Sequence, residues 1–342
     1  MSAPENEPKP QHKGKILKVL GIGTDIAYQP FPLGNGNVVC RVEDPKSHFR
    51  GNLFNPHAVF FKPIGDSFII NDDAPVFGKP GIPFEDPFGA WITDEKGERQ
   101  LLFGAVFPDL HAPGGLEIIT KLYVAPGIED LEPDQPIAEV RGMRDVRFAQ
   151  MDSGKIAFFT RPDTKNKGWI GFTTLDGIEE IKDKERFKQA QERANDTNNL
   201  LKFRIGHDME IGEHTRLGAN SAYEVEVTLP DGQKKKLIRI FCHTSDVDPD
   251  EKGVRDFETG VIHYKGYDGY FDPEHPKQII PLREIVRASD FPKQPDNSKG
   301  ERYDDVVFIS GTDGEQIYVG VRDRCAGVVP DPGFDPAYLP FS

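Results

Sequence analysis

Short stretches in which apolar, β-branched and aromatic residues alternate with polar ones recur along the whole chain, and glycine and proline fall between these stretches. Runs 37–43, 58–62, 67–71, 89–93, 100–107, 117–124, 145–150, 155–161, 169–173, 221–229, 236–243, 260–264, 305–310 and 316–321 have the length and composition of strands. Several consecutive runs are joined by Ser153-Gly154, Asp231-Gly232 or Asp313-Gly314, and the Asp-Gly spelling suits tight turns that need positive φ. One segment departs from the pattern. Residues 181–194, IKDKERFKQAQERA, are dense in Lys, Glu, Gln and Ala, with a thin apolar set of Ile181, Phe187, Ala190 and Ala194. That set predicts a surface helix in a loop between strand groups, with a solvated outer face.

The runs gather into clusters at intervals of roughly 50 to 60 residues, and five clusters of about four strands fill the chain without a strict repeat. This predicts an all-β fold, a five-bladed β-propeller whose blades pack radially about a central channel. A β-sandwich with appendages would use the same strands and is the alternative. The expected organisation is a disordered polar tail over residues 1–15, with Pro at positions 4, 8 and 10, followed by a single propeller domain over residues 16–342.

Composition narrows the setting. The 342 residues are 37% hydrophobic and 29% charged, with a mean hydropathy of -0.52, and no apolar run approaches the roughly 20 residues that span a bilayer. The first residues hold no apolar leader-like core, so a cytoplasmic, membrane-free protein is expected. Cys40, Cys242 and Cys325 are an odd count without paired spacing, which argues for buried free thiols and against a disulfide framework or zinc site. The formal net charge of -14 repels nucleic-acid backbones. A local basic cluster can still outweigh that mean field for a small anion at short range.

The candidate chemistry lies at strand ends. Arg41-Val42-Glu43-Asp44 follows an apolar run, where its charges either meet solvent or line a channel. In Phe84-Glu85-Asp86-Pro87-Phe88 two carboxylates sit among aromatics. Strand alternation would aim Glu85 and Asp86 in opposite directions, and the following proline biases Asp86 toward extended backbone. A carboxyl among Phe84, Phe88 and Trp91 would be partly desolvated, which favours the protonated form a general acid needs. Arg141, Arg144 and Arg147 surround Asp145, with Arg161 at the end of the next run. These forked donors suit a carboxylate, a phosphate or sugar hydroxyls, or else a local salt-bridge network. The stretch 218–223 with Asn220, the strand-terminal His243, and Arg322-Asp323-Arg324 complete the set. Each alone has a structural explanation. Together they give one polar cluster at a strand end in each strand group, as expected when inner strands share a pocket. No P-loop, GxSxG elbow, HExxH or EF-hand loop is spelled, and the sequence calls for no cofactor or metal.

These motifs occur in a familiar order. Arg41-Val42-Glu43, Glu85-Asp86-Pro87, Arg144-Asp145-Val146-Arg147-Phe148, Gly154-Lys155, Arg161-Pro162 and Trp169-Ile170-Gly171-Phe172 resemble glycoside hydrolase family 130, the mannoside phosphorylases and β-mannosidases. The likeness is closer to a related group, domain of unknown function 1861, whose central block 142–172 nearly matches and whose later features match at 218–223 and His243. The resemblance implies a five-bladed propeller with a sugar site in its central cavity. It implies that Asp86 supplies the acid, that Asp145 is a substrate-binding or catalytic carboxylate, and that Arg41 and Arg161 hold sugar or phosphate. Two positions depart from family 130: Phe88 stands where arginine is usual, and Arg144 replaces lysine.

The resulting expectation is an inverting enzyme acting on a small, manno-configured or related glycoside. Hydrolysis needs a carboxylate base roughly 6.5–9.5 Å across from the acid, with Glu43 or Asp145 as candidates. Phosphorolysis instead needs cationic donors for inorganic phosphate, and Arg41, Arg144, Arg147, Arg161 and His243 are the candidates. Asn220 and Asp323 complete the expected substrate-binding set. The acidic balance and the missing arginine favour hydrolysis. Two other classes remain open: a non-catalytic sugar-binding propeller that stacks Trp91, Trp169 or Tyr223 on a sugar, and a protein-interaction scaffold with a broad apolar patch.

Overall fold

A computed structural model describes residues 13–23, 25–45, 55–78, 82–109, 112–113, 116–162, 169–211, 215–249, 253–255, 260–293 and 304–340. Among these residues the strands form five sheets, each built on an antiparallel meander, and the sheets are the five blades of a propeller. The innermost strands are Ile26–Pro32, Glu85–Thr93, Met143–Gln150, Arg216–Thr228 and Val307–Thr312. They meet one another in a ring: first to second, second to third, third to fourth, fourth to fifth and fifth to first. The ring closes with Lys15–Ile16, which pairs with Cys325–Pro330 at the outer edge of the last blade. The expected disordered tail falls mostly on residues 1–12, outside the described residues, while Gly14 donates its N–H to the Asp290 carbonyl and Lys15 is already in a strand.

Aromatic side chains pack across every blade interface. Phe60 meets Phe103 between blades one and two, Phe88 meets Phe148 between two and three, and Phe172 meets Phe271 between three and four. His243 and Phe308 join blades four and five, and Phe68 and Tyr318 join one and five. Such large buried surfaces hold together sheets that cannot bury their own faces.

The third blade has three strands, and its outer strand Gly171–Leu175 is covered by helices rather than by a fourth full strand. The single expected helix is in fact two. Ile178–Lys182 and Lys184–Asn195 are separated at Asp183, whose carboxylate caps the second helix by accepting from the N–H groups of Glu185 and Arg186. The thin apolar stripe is not idle: Ile181, Phe187, Ala190 and Ala194 are buried against the blade. Gly171 permits this approach, because a Cβ there would lie 2.2 Å from the Ala194 carbonyl oxygen. The helices thus shield a strand edge that would otherwise be open.

All five innermost strands also share one irregularity. Between Tyr28 and Phe31, Glu85 and Phe88, Arg144 and Arg147, Ala219 and Ser221, and Ile309 and Gly311, the inner strand holds one residue more than its partner. This is the signature of a β-bulge, a device that re-aims side chains. Three bulges carry a non-glycine residue in left-handed backbone: Gln29 at φ 53, Asp86 at φ 47 and Asp145 at φ 50.

Candidate active site at one mouth of the propeller axis

The bulges determine what faces the axis. Strict alternation would send Glu85 and Asp86 apart, and the proline would keep Asp86 extended. The left-handed turn at Asp86 overrides both expectations, at a conformation aspartate tolerates better than most residues. Both carboxylates therefore reach the same partner, Arg41 of the neighbouring blade.

Arg41 stands cross-strand from Tyr28, just before the first bulge. Its Nη2 lies 2.6 Å from Glu85 Oε1 and 3.1 Å from Glu43 Oε2, and its Nη1 lies 3.5 Å from Asp86 Oδ1. Glu43 also accepts the Tyr28 hydroxyl at 2.5 Å. Burial opposes the Arg41 charge, but Glu43 and Glu85 outweigh it and hold the guanidinium protonated. Asp86 is the most open carboxylate of the group, with 28% of its side chain exposed, whereas Glu43 is fully buried.

The third blade repeats the plan with opposite polarity. Arg161 stands cross-strand from Arg144 and pairs with the bulge residue Asp145 at 3.0 Å. Burial opposes the Asp145 charge, yet Arg161, His243, Arg147 and Arg144 outweigh it and hold the carboxyl below its usual range. Gly218 gives this carboxylate room: a Cβ there would lie 1.9 Å from Asp145 Oδ2 and 2.6 Å from His243 Cε1. The two clusters share one field, since Asp145 and Asp86 both act on Arg147, and Arg144 acts on Glu85 as well as on Asp145. Asp323 lies in left-handed backbone and acts on both Tyr28 and Tyr264, which brings the fifth blade to the same mouth.

Several expected roles are corrected. Glu43, expected as a base, is fully buried and accepts from the Tyr28 hydroxyl and from Arg41, which leaves it out of reach of solvent. Arg147 is 2% exposed, donates from Nε to the Asn220 carbonyl and from Nη1 to the Val146 carbonyl at 2.7 Å, and lies over the Phe88 ring. It ties two bulges together and lines a cavity of about 340 Å³ at the other end of the innermost strands. Phe88 thus fills, beneath Arg147, the place where an arginine was missed. Asn220 is fully buried, and its Oδ1 lies 2.6 Å from His243 Nδ1. His243 stacks on Tyr264 and Phe308, and burial first of all pushes its pKa down to about 4. At neutral pH it is uncharged and is no cationic donor. Trp91 and Tyr223 line the opposite cavity, and Trp169 is exposed on the surface, so these rings do not gather around Asp86.

Tyr28 and Gln29 escaped sequence reading because the innermost strand of the first blade was not recognised. A signal existed: Tyr28-Gln29-Pro30-Phe31 and Glu85-Asp86-Pro87-Phe88 share a polar residue, proline and phenylalanine at the same bulge. Cys40 and Cys242 are buried free thiols, and Cys325 is half-buried. Among the described residues no group of three His, Cys, Asp or Glu side chains is placed to hold a metal ion. Among them, too, no helix is long and apolar enough to cross a membrane.

Comparison with known proteins supports the architecture. Residues 12–199 match the family model described as Protein of unknown function (DUF1861). No curated protein matches the chain. A mannose phosphorylase from Leishmania mexicana, MPT-4, solved in complex with phosphate ion, is 22% identical over 96% of this chain and 90% of its own, with a TM-score of 0.67. MPT-1, a GDP-Man-dependent mannosyltransferase from the same organism, is 21% identical over 95% of this chain and 91% of its own, with a TM-score of 0.65. A structure described under the GH130 family, whose glycoside hydrolases target β-1,2 mannosidic linkages in Candida mannan, is 14% identical over 96% of both chains, with a TM-score of 0.51. At these identities the likeness establishes the fold.

Proposed function

The chain belongs to the family of proteins of unknown function DUF1861, and from that premise we propose that it is a glycoside-active enzyme whose acid is Asp86 and whose nucleophile binds beside Arg144 and Arg161. The observation that carries this reading is the placement of Asp86, the solvent-open carboxylate of its cluster, on the same mouth as a cationic group around Asp145. An acid and an anion-holding patch that share one electrostatic field are what a displacement at an anomeric carbon requires.

Hydrolysis was the first expectation, from the acidic balance and the missing arginine, and it requires a carboxylate base. Of the two candidates, Glu43 is sealed, and Asp145 is held ionised by Arg161, which makes it a weak base. Phosphorolysis needs no strong base, so the geometry favours it. A phosphate oxygen held by Arg144 and Arg161 attacks the anomeric carbon from one face. The glycosidic C–O bond breaks on the other face, and the Asp86 proton passes to the leaving oxygen, directly or through a substrate hydroxyl. The products are a sugar 1-phosphate and the released alcohol. The phosphate ion bound to the Leishmania mexicana mannose phosphorylase makes inorganic phosphate and manno-configured disaccharides the first pair to test.

The test is a screen of manno-, gluco-, galacto- and fructo-configured disaccharides with and without phosphate, reading free sugar and sugar 1-phosphate separately. Sugar 1-phosphate that forms only with phosphate, and disappears in Asp86→Asn, is the expected result. Free sugar formed without phosphate makes the enzyme a hydrolase. Absence of turnover on every substrate, with sugar still bound, makes it a binding propeller.

A further inference from the structure

The Arg41 cluster holds more negative charge than its cation can balance. Three carboxylates, Glu43, Glu85 and Asp86, contact one guanidinium within 3.5 Å. Glu43 is fully buried and Glu85 exposes 12% of its side chain, so water screens neither well. Buried like charges are relieved most cheaply when one of them takes up a proton. The hydrogen bonds identify which one. Glu43 accepts on both oxygens, from the Tyr28 hydroxyl and from Arg41 Nη2, and so is needed as an anion. Asp86 is the solvated member and the farthest from Arg41. Glu85 is the buried member that remains.

We infer that Glu85 carries a proton on the acid side of neutrality and acts as a positioning residue: as a neutral acid it leaves the Arg41 charge to Glu43 and adds no second buried anion to the cluster. The groups that face it are Arg41 and Glu43 from the first blade, Asp86 from its own strand and Arg144 from the third blade. Burial, reinforced by Asp86 and Glu43 and opposed by Arg41 and Arg144, pushes Glu85 up to about 7. When Glu85 loses its proton, a second buried anion appears beside Glu43, and the two compete for Arg41 Nη2. This role rests on the enzymatic reading of Asp86 only for its catalytic consequence; the location of the proton stands independently of it.

The test uses Glu85→Gln, an amide that copies the neutral acid. Denaturant unfolding across pH is the first readout and needs no substrate. Native Glu85 keeps its proton in the window between 4.5 and about 7, where the unfolded chain has lost it, so this contribution to stability is present at low pH and lost as pH rises. The wild type should therefore lose stability relative to Glu85→Gln as pH rises through that window. A difference that is flat, or of opposite sign, overturns the inference. Infrared spectroscopy of the unsubstituted chain gives the same answer if the variant fails to fold: a protonated carboxyl band should fade as pH rises through about 7, and its absence at pH 6 contradicts the assignment. On a substrate that the chain turns over, Glu85→Gln should keep activity within a few-fold at pH 6 and remove the part of the pH dependence that Glu85 ionisation causes as pH rises through about 7. Loss of activity at pH 6 in a folded variant would show that the anion is required and would overturn the positioning role. Failure of the glycosidase reading would appear as no turnover in either protein, with the stability result unchanged.

Discussion

Arg41 and Arg161 occupy the same place in two different blades, each cross-strand from the residue that precedes a bulge. Their surroundings are inverted. Arg41 is one cation among three carboxylates, whereas the partner of Arg161, Asp145, is one carboxylate among Arg161, Arg147 and Arg144. A common scaffold thus surrounds a cation with carboxylates on one side of the mouth and a carboxylate with cations on the other. The polarity is set by which residue type occupies the bulge and its neighbours, and not by the backbone.

The comparison can be broken at several points. The largest effect is expected at Asp86→Asn, which should lower kcat by about 10²–10⁴-fold while leaving the urea midpoint nearly unchanged; equal turnover would remove Asp86 from the chemistry. Next come the two arginines. Arg41→Met strands the buried Glu43 anion and should cost about 3–5 kcal/mol of unfolding free energy. Arg161→Met should cost less, because Arg144 and Arg147 still face Asp145. Chemical denaturation of both variants measures the difference, and the reverse order would contradict the charge inventory.

The pH dependence of stability should have opposite slopes on the two sides. His243, with a folded pKa of about 4 against an ordinary 6.5, contributes stability that is present above 6.5 and lost as pH falls toward 4. Asp145, held low, adds to that loss at acid pH. Glu85 runs the other way. The His243 contribution is about 3 kcal/mol by linkage, and the slopes of His243 and Glu85 oppose one another where their windows overlap. Unfolding measured from pH 4 to 8 in His243→Gln and Glu85→Gln should therefore expose one slope each, where the wild type shows a shallow profile. Two variants with parallel slopes would refute the opposed polarity. The smallest effect separates two glycines near Asp145. Gly218→Ala drives a methyl into the carboxylate and should cost about 1–3 kcal/mol with loss of activity. Gly142→Ala meets open space at φ +66 and should cost about 1 kcal/mol with activity retained.

Much of this fold is written in local pattern. The runs 316–321 and 117–124 coincide with strands to within a residue, because alternation and flanking turns mark them. The innermost strand Ile26–Pro32 was not legible, since two prolines within seven residues argue against a strand. Its bulge and its place around the axis make them tolerable. Strands Ile279–Val286 and Cys325–Pro330 were missed as well, and the second completes the blade that the chain's start closes.

The site divided in the same way. Residue type and order singled out Arg41, Asp86, Asp145 and Arg161, because carboxylates and guanidines clustered at strand ends are visible in one dimension. Which of them a ligand can reach was not visible. The shielding of Glu43 depends on Tyr28 from an unrecognised strand, and the loss of Arg147 to the Asn220 carbonyl depends on a neighbouring blade. The opposed aim expected of Glu85 and Asp86 failed for a local reason, an extra residue that breaks the two-residue period.

The shared mouth is tested most directly by calorimetric titration of inorganic phosphate into the wild type, Arg161→Gln and Asp86→Asn at one pH and ionic strength. Arg161→Gln should weaken binding at least tenfold, and Asp86→Asn, on a different blade, should shift it several-fold through the common field. Phosphate that binds all three proteins alike would contradict a single mouth built from both blades.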